Sequence, residues 1–211
     1  VVKTGKEDNV KVTTLEETAI HDIGHAFGYY DYGQETGMTA AFSGKAATED
    51  YICAYVRGML HGGFLHTISE RGEGYIAYKL PGGKAGFQDH VAHRAGNAAQ
   101  FQPEMAYVFW YGHEAGRNIT PKSYGQGEET LYLCGTRLRA GSVSGAGLYA
   151  KGHGYRFSES DRLRVPMILE TDAQSKCDKY VHLGMELAGV RDMGEYGKMY
   201  DLIRYPVAEK Q

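Results

Sequence analysis

The chain has 211 residues, of which 42% are hydrophobic and 23% charged, a balance typical of a globular protein that can bury a core. A net charge of −3 gives no reason to expect nucleic acid or an anionic membrane as a partner. The longest apolar run, Ala106–Tyr111, is too short to span a bilayer. Three widely spaced cysteines favour reduced thiols, and the first residues lack the apolar stretch of a signal peptide, so we expect a cytoplasmic protein.

The first predicted element is an amphipathic helix. Thr14 and Glu17 have the spacing of a capping box, and apolar residues follow at helical intervals. This pattern predicts a helix over Leu15–Tyr29. The turn-rich segment Asp31–Lys45 that follows predicts an exposed loop.

A second helix and a hairpin are predicted next. Thr48 is a candidate N-cap, and the pair Gly62 and Gly63 predicts where the helix stops. Two β-rich runs, Phe64–Ser69 and Tyr75–Leu80, then predict an antiparallel hairpin. Residues 87–117 are expected to be mostly helical with an interruption at Pro103, although Ala106–Tyr111 could equally be a strand, and a loop is expected before position 131.

The first helix contains the sequence HDIGH, in which His21 and His25 share one helical face. Zinc hydrolases with this spacing carry a glutamate as general base, whereas Asp22 stands here and has a shorter reach. No third ligand is evident in the sequence. We therefore interpret both side chains as partly exposed histidines of an amphipathic helix and predict no metal site.

The stretch Leu131–Gly189 reads as strand, Gly-rich loop, helix, strand, helix. The strands are LYLCGTRLRA, which alternates apolar and polar residues, and the apolar run VPMILET. The last part, DAQSKCDKYVHLGMELAG, is predicted to be helical throughout. Strand, crossover helix and strand form a βαβ unit, in which ligands bind at the carboxyl ends of the strands.

The loop of this unit has the features of an anion site. Gly145 and Gly147 let the backbone approach a phosphate closely, and a helix that begins at Leu148 would offer free N–H groups. Between Arg137 and Arg164 there are six basic and two acidic residues, although the chain is acidic overall. This local excess suits a polyphosphate ligand, and a solvated helix face is the alternative.

The segment Val165–Gly189 resembles motifs of the GNAT superfamily, the acyl-CoA-dependent N-acyltransferases. The resemblance lies in an apolar strand ending in Leu-Glu-Thr and in a helix that carries Tyr180 within KYVHLGM, similar to the family's Tyr-x-x-Leu-Gly-Phe. The closing stretch Tyr196–Pro206 is similar to that family's last strand. The loop departs from the pattern, since Ser142 stands where Gln or Arg is usual.

The resemblance implies an α+β fold with a mixed, mostly antiparallel sheet flanked by helices. The strands at Leu131 and Val165 would be parallel and splayed at their carboxyl ends. One domain would cover 1–211, with residues 1–120 on the acceptor side and 128–206 forming the coenzyme A-binding core. Acetyl-CoA would be the co-substrate, with its pyrophosphate held by the amides of Ser144, Gly145, Ala146, Gly147, Leu148 and Tyr149.

The same resemblance implies direct attack of an amine on the thioester. Tyr180 matches the family tyrosine that protonates the departing thiolate, because a phenol is protonated at neutral pH. A core aromatic that shares a helical face with Cys177 is the alternative reading. For the base we expect Glu129 or Glu170, although an ordinary surface carboxylate is the default for each.

The favoured function is thus an N-acetyltransferase acting on an unidentified primary amine, either a small molecule or a peptide. A non-catalytic acyl-CoA-binding or regulatory module on the same fold is the alternative, and a metal hydrolase built on HDIGH is remote. The oligomeric state is not readable from the sequence, and a homodimer stays open.

Overall fold

The computed structural model describes residues 10–67, 72, 74–79, 131–138, 154 and 157–207, with the backbone alone for 79, 131–138 and 195. The strands are β1 (Val10–Lys11), β2 (Leu65–Thr67), β3 (Gly74–Lys79), β4 (Leu131–Leu138), β5 (Met167–Thr171), β6 (Glu186–Asp192) and β7 (Lys198–Arg204). The helices are α1 (Glu17–Gly28), α2 (Lys45–Gly62), α3 (residues 157–163) and α4 (Gln174–His182), with short 3-10 helices at Met38–Ala41 and Gly194–Tyr196. The predictions for residues 87–117 and for the Gly-rich loop lie outside the described residues.

The seven strands that the described residues form make one sheet in the order β1-β2-β3-β4-β5-β7-β6. β4 and β5 are parallel, and the other neighbouring pairs are antiparallel. The predicted mixed, mostly antiparallel sheet is therefore confirmed, as are the hairpin of β2 with β3 and the closing strand β7.

The parallel pair parts at its carboxyl ends. β4 and β5 are paired at Leu131 with Met167 and at Tyr132 with Ile168, yet β4 continues to Leu138 and β5 to Thr171. Beyond Ile168 no further pair of the two strands is seen among the described residues, so backbone N–H and C=O groups along this boundary are released from the ladder. This is the splay that the family resemblance implies.

The described residues form two hydrophobic cores, which lie on opposite faces of the sheet. Side chains alternate along a strand, and on β3 Ala77 belongs to one core while Ile76 and Tyr78 belong to the other. The first core is built with α1 and α2. The second core is built with α3 and α4. Five of the most deeply buried side chains each contribute about 1.5–3 kcal/mol through removal from water: Ile20, Met59, Ile76, Met167 and Leu202.

Both predicted helix caps in the first half are wrong. The residue before α1 is Glu16, not Thr14, and it makes no side-chain cap. The Glu17 carboxylate binds Arg57 of α2 instead, with Nη2 2.6 Å from Oε2. α2 begins at Lys45, after Gly44 at a positive φ of 119°, and Thr48 is instead buried with its hydroxyl donating to Gly44 O. The predicted stop is confirmed, since Gly63 adopts the left-handed conformation at φ 70°.

The prediction of one helix over residues 172–189 is also wrong. α4 ends at His182, and Gly184 adopts a φ of 102°, a left-handed conformation that turns the chain out of the helix. Residues 186–192 then form β6 and pair with β7. Tertiary pairing with a neighbouring strand thus overrides the local helical pattern. Among the described residues, no helix has the length and apolar character needed to cross a membrane.

Candidate active site at the carboxyl end of β5

Glu170 lies where β5 has parted from β4. It is two residues beyond Ile168, the last residue of β5 that pairs with β4. Its neighbour Leu169 packs into the second core, on the α4 face. Because adjacent side chains alternate, Glu170 lies on the opposite face, the one on which α1 and α2 pack. On that face the register places it beside Asp201 of β7.

A single arginine links these two carboxylates. Arg191 of β6 approaches Glu170 with Nη2 2.9 Å from Oε1. It donates to Asp201 through two groups, with Nε 2.9 Å from Oδ2 and Nη2 2.7 Å from Oδ1. The side chain of Asp201 is 5% exposed and that of Glu170 is 28% exposed. Two carboxylates therefore share one cation in a partly buried site.

The ionisation of Glu170 is shifted by this environment. Burial raises the pKa of the Glu170 carboxyl to about 7, because the charged form loses water. The nearby charge of Asp201 also raises this pKa, while Arg191 opposes the rise without cancelling it. A carboxyl group with a pKa close to neutrality exchanges protons near physiological pH, as a general base must.

Tyr180 lies on the other side of the sheet. It is half-buried on α4 and packs against the second core, where Cys177 is almost completely buried. Burial raises the pKa of the Cys177 thiol, so this cysteine is a small apolar core residue at neutral pH. Tyr180 and Glu170 thus lie on opposite faces of the sheet. The proposed base Glu129 and the proposed coenzyme A-binding residues lie outside the described residues.

Directly after β5, Asp172 anchors the loop that follows α1. Its Oδ2 accepts hydrogen bonds from the Tyr32 hydroxyl and from the Met38 amide, each at 2.7 Å, and Oδ1 accepts one from Lys176 Nζ at 2.7 Å. Lys176 Nζ also lies 4.4 Å from the centroid of the Tyr32 ring. Burial works against ionisation, but Lys176 and these donors bring the pKa of Asp172 below its usual value.

The same loop caps α4. Glu35 accepts hydrogen bonds from the amide of Gln174 at 2.7 Å and from that of Ser175 at 3.2 Å. A carboxylate at a helix N-terminus satisfies free N–H groups and matches the helix dipole. The prediction of a simply exposed loop over Asp31–Lys45 is therefore incomplete, because the loop is fixed to the β5–α4 junction.

The histidines of HDIGH contact α2. Nδ1 of His21 lies 3.7 Å from Glu49 Oε1, and Nδ1 of His25 lies 3.3 Å from Glu49 Oε2. Both histidine side chains are more than half exposed. In the part of the chain that the structure describes, no group of three or more His, Cys, Asp and Glu side chains is arranged to hold a metal ion.

Sequence reasoning missed Arg191 and Asp201. Asp201 stands alone as a charged residue between Tyr200 and Leu202 in an otherwise apolar part of β7, and all three are buried. An isolated charge in a buried strand needs a partner, so this pattern is a signal for a buried ion pair. Nothing in the sequence says that the partner also binds Glu170.

Comparison with known proteins identifies the fold. No family model and no curated protein matches the sequence. Among solved structures the chain is similar to mosquito arylalkylamine N-acetyltransferase like 5b, at 12% identity and a TM-score of 0.60, covering 93% of this chain and 98% of that one. It is similar to arylalkylamine N-acetyltransferase 2 from Aedes aegypti, at 13% identity and a TM-score of 0.57, covering 91% and 96%. Similarity to an agmatine N-acetyltransferase is at 10% identity and a TM-score of 0.58, covering 94% and 99%. The chain therefore has the fold of the GNAT-superfamily acetyltransferases.

Proposed function

We propose that this protein is an N-acetyltransferase that moves an acetyl group from acetyl-CoA to a primary amine. The observation that carries the proposal is the splay of β4 and β5, because a thioester entering it would lie between Glu170 on one face and Tyr180 on the other. The pyrophosphate is assigned to the amides of residues 144–149 on the strength of the sequence pattern.

In the proposed reaction the amine nitrogen attacks the thioester carbon directly. The new C–N bond forms, the C–S bond breaks, and the electron pair leaves on sulfur as coenzyme A thiolate. Glu170 takes the proton that the amine nitrogen loses, directly or through one water molecule, which its raised pKa favours. Tyr180 supplies the proton to the thiolate, and proton exchange with water restores both side chains.

The names of the structural neighbours suggest which amines to test first. Two of these neighbours are arylalkylamine N-acetyltransferases, and another is an agmatine N-acetyltransferase. The acceptor panel therefore begins with an arylalkylamine and agmatine, followed by a polyamine and a lysine-containing peptide. The peptide represents the second class of acceptor that the sequence leaves open.

Two measurements test the proposal. Acetyl-CoA should raise the midpoint of thermal unfolding, since a ligand at 100 times its Kd stabilises a native state by about 2.7 kcal/mol. Free thiol should then be released in the presence of an accepted amine and not in its absence. Absence of any coenzyme effect on the midpoint contradicts the proposal. Protection without thiol release over the whole panel favours the non-catalytic acyl-CoA-binding alternative.

Tyr180→Phe tests the proposed acid. Removal of the hydroxyl should lower kcat by about 10²-fold, the low end for general acid catalysis, and leave coenzyme-induced stabilisation unchanged. Tyr200→Phe is a matched control, because Tyr200 is also a tyrosine of the second core but lies on β7. Equal turnover of Tyr180→Phe and the wild type would remove Tyr180 from the mechanism.

A further inference from the structure

We propose that Arg191 and Asp201 are positioning residues that keep Glu170 available as the proton acceptor: Arg191 donates to Asp201 through Nε and Nη2, and Nη2 also contacts Glu170. The inference rests on the proposed function and deepens it. It assigns roles to two residues that act through Glu170 without contacting the substrate.

The Arg191 guanidinium gives Asp201 two donor groups. Nε and Nη2 of Arg191 each reach a different oxygen of Asp201, at 2.9 and 2.7 Å, which is the bidentate geometry that binds a carboxylate most strongly. Glu170 receives Nη2 at 2.9 Å, the same group that Asp201 also uses. Two donor groups of the guanidinium are therefore directed to Asp201.

The binding of Arg191 by Asp201 affects the proton affinity of Glu170. A buried arginine that gave both hydrogen bonds to Glu170 would keep that carboxylate ionised and unreactive over the whole neutral range. With Asp201 occupying the fork, Glu170 keeps an oriented side chain and a raised affinity for a proton. The arrangement thus fixes the position of Glu170 without neutralising its role as a base.

The described charges that act on Glu170 lie on two strands. Among the described residues, its pKa responds to Arg191 of β6 and Asp201 of β7. Asp172 lies two residues farther along the same chain, but its carboxylate is compensated by Lys176 at 2.7 Å. Removing one member of the Arg191–Asp201 pair should therefore change the charge around Glu170 in a known direction.

The test is the pH dependence of kcat/KM for two variants with opposite expected signs. Activity rises as Glu170 loses its proton, so the acidic limb of the profile reports its pKa. Asp201→Asn removes a repulsive charge and frees Arg191 for Glu170, which should move this limb to lower pH by about one unit. Arg191→Gln removes the cation and should move it to higher pH by about one unit. Arg191→Lys should return the limb toward the wild-type position.

A matched ion pair at the other end of the same strands supplies the control. Arg204 of β7 binds Asp161 of α3 with two hydrogen bonds of 2.9 Å, and Arg204 lies beside Met167, at the start of β5. Asp161→Asn should lower the free energy of unfolding while leaving the acidic limb in place. Equal limb positions in Asp161→Asn and Asp201→Asn would reduce Asp201 to a structural residue and overturn the inference.

A direct titration separates this inference from the proposed function. The Glu170 carboxyl carbon can be followed by 13C NMR, with Glu170→Gln identifying its signal, and the measurement requires no turnover. Opposite shifts of this pKa in Asp201→Asn and Arg191→Gln support the charge arrangement, and shifts of equal sign or none overturn it. If the pKa of Glu170 shifts in opposite directions in the two variants but the protein releases no thiol, the proposed function fails, and the catalytic role of Glu170 fails with it. The effect of Arg191 and Asp201 on the charge of Glu170 would still be supported. Each variant has its own expected direction of the pKa shift, so one variant that remains folded is enough for the test.

Discussion

Two carboxylates at the end of β5, only two residues apart, have opposite environments. Asp172 is served by three donors at 2.7 Å, from Tyr32, Met38 and Lys176, and its pKa lies below the usual range. Glu170 shares one arginine with a second carboxylate, and its pKa is raised to about 7. Burial acts on both groups in the same direction. The number of hydrogen-bond donors at each carboxylate, and whether a donor is shared with a second carboxylate, therefore decide which group is an anchor and which can accept a proton.

The comparison assigns stability to one group and chemistry to the other. Asp172 joins the loop after α1 to the β5–α4 junction, so its contacts connect segments that are 134 and 140 residues apart in sequence. Glu170 lies in the splay, where a carboxylate fully compensated by donors would have too little affinity for a proton to act as a base. The following predictions test this division.

The largest effect is expected for Asp172→Ala. The change leaves the Lys176 ammonium without its carboxylate and the Met38 amide with only its longer hydrogen bond of 3.3 Å to Tyr32 Oη, which should lower the free energy of unfolding by about 3 kcal/mol. Urea unfolding measures the loss. Asp178→Ala on the exposed side of α4 is the control and should lower the free energy of unfolding by less than about 1 kcal/mol. A loss below 1 kcal/mol for Asp172→Ala would contradict its role as an anchor.

The two carboxylates should also give opposite pH dependences of stability. The folded pKa of Glu170 is raised, so the folded state holds its proton while the unfolded chain loses it. The stability of the wild type relative to Glu170→Gln should therefore fall between about pH 4.5 and 7, by at most about 1.4 kcal/mol per unit, and level off above. The folded pKa of Asp172 is lowered, so its contribution is present above its usual pKa and is lost as the pH falls through the folded value. Unfolding titrations of Glu170→Gln and Asp172→Asn from pH 3 to 8 compare the two slopes, and slopes of the same sign would refute the distinction.

A smaller loss is expected from Gly37→Ala in the anchored loop. A Cβ at this position would overlap the ring of Tyr32, whose hydroxyl binds Asp172. Overpacking of this kind costs about 1–3 kcal/mol because the ring must shift. A double-mutant cycle with Tyr32→Ala isolates the effect. If Gly37→Ala is as costly without the ring as with it, the overlap is not the cause.

The smallest effect is expected for Glu35→Gln at the start of α4. The variant weakens a cap on two amides and should cost about 0.5–1 kcal/mol at neutral pH. Hydrogen bonding from Ser175 lowers the pKa of Glu35, so this difference should shrink as the pH falls through the lowered value. Glu16→Gln, before α1 and without a side-chain cap, is the control. An equal cost for both variants would show that Glu35 does not cap α4.

The sequence by itself determined the elements whose patterns are local. Two β-rich runs predicted the hairpin of β2 with β3, alternation predicted the strand β4, an apolar run predicted β5, and Gly63 predicted the end of α2. The resemblance of residues 165–189 led to the splayed parallel pair. These features follow from periodicity, from the conformational freedom of glycine and from a short motif, none of which requires knowledge of distant contacts.

Only the tertiary structure decided the caps and the charge arrangement at the site. Glu35 caps a helix that begins 139 residues later, and Glu17 pairs with Arg57 instead of closing a capping box. The segment after Gly184 became a strand because β7 was available to pair with it. Glu170 was a candidate base from the sequence, but its shared Arg191 depends on the register of three strands. Contacts between residues distant in sequence leave no local periodicity, so their partners emerge only when the chain is folded.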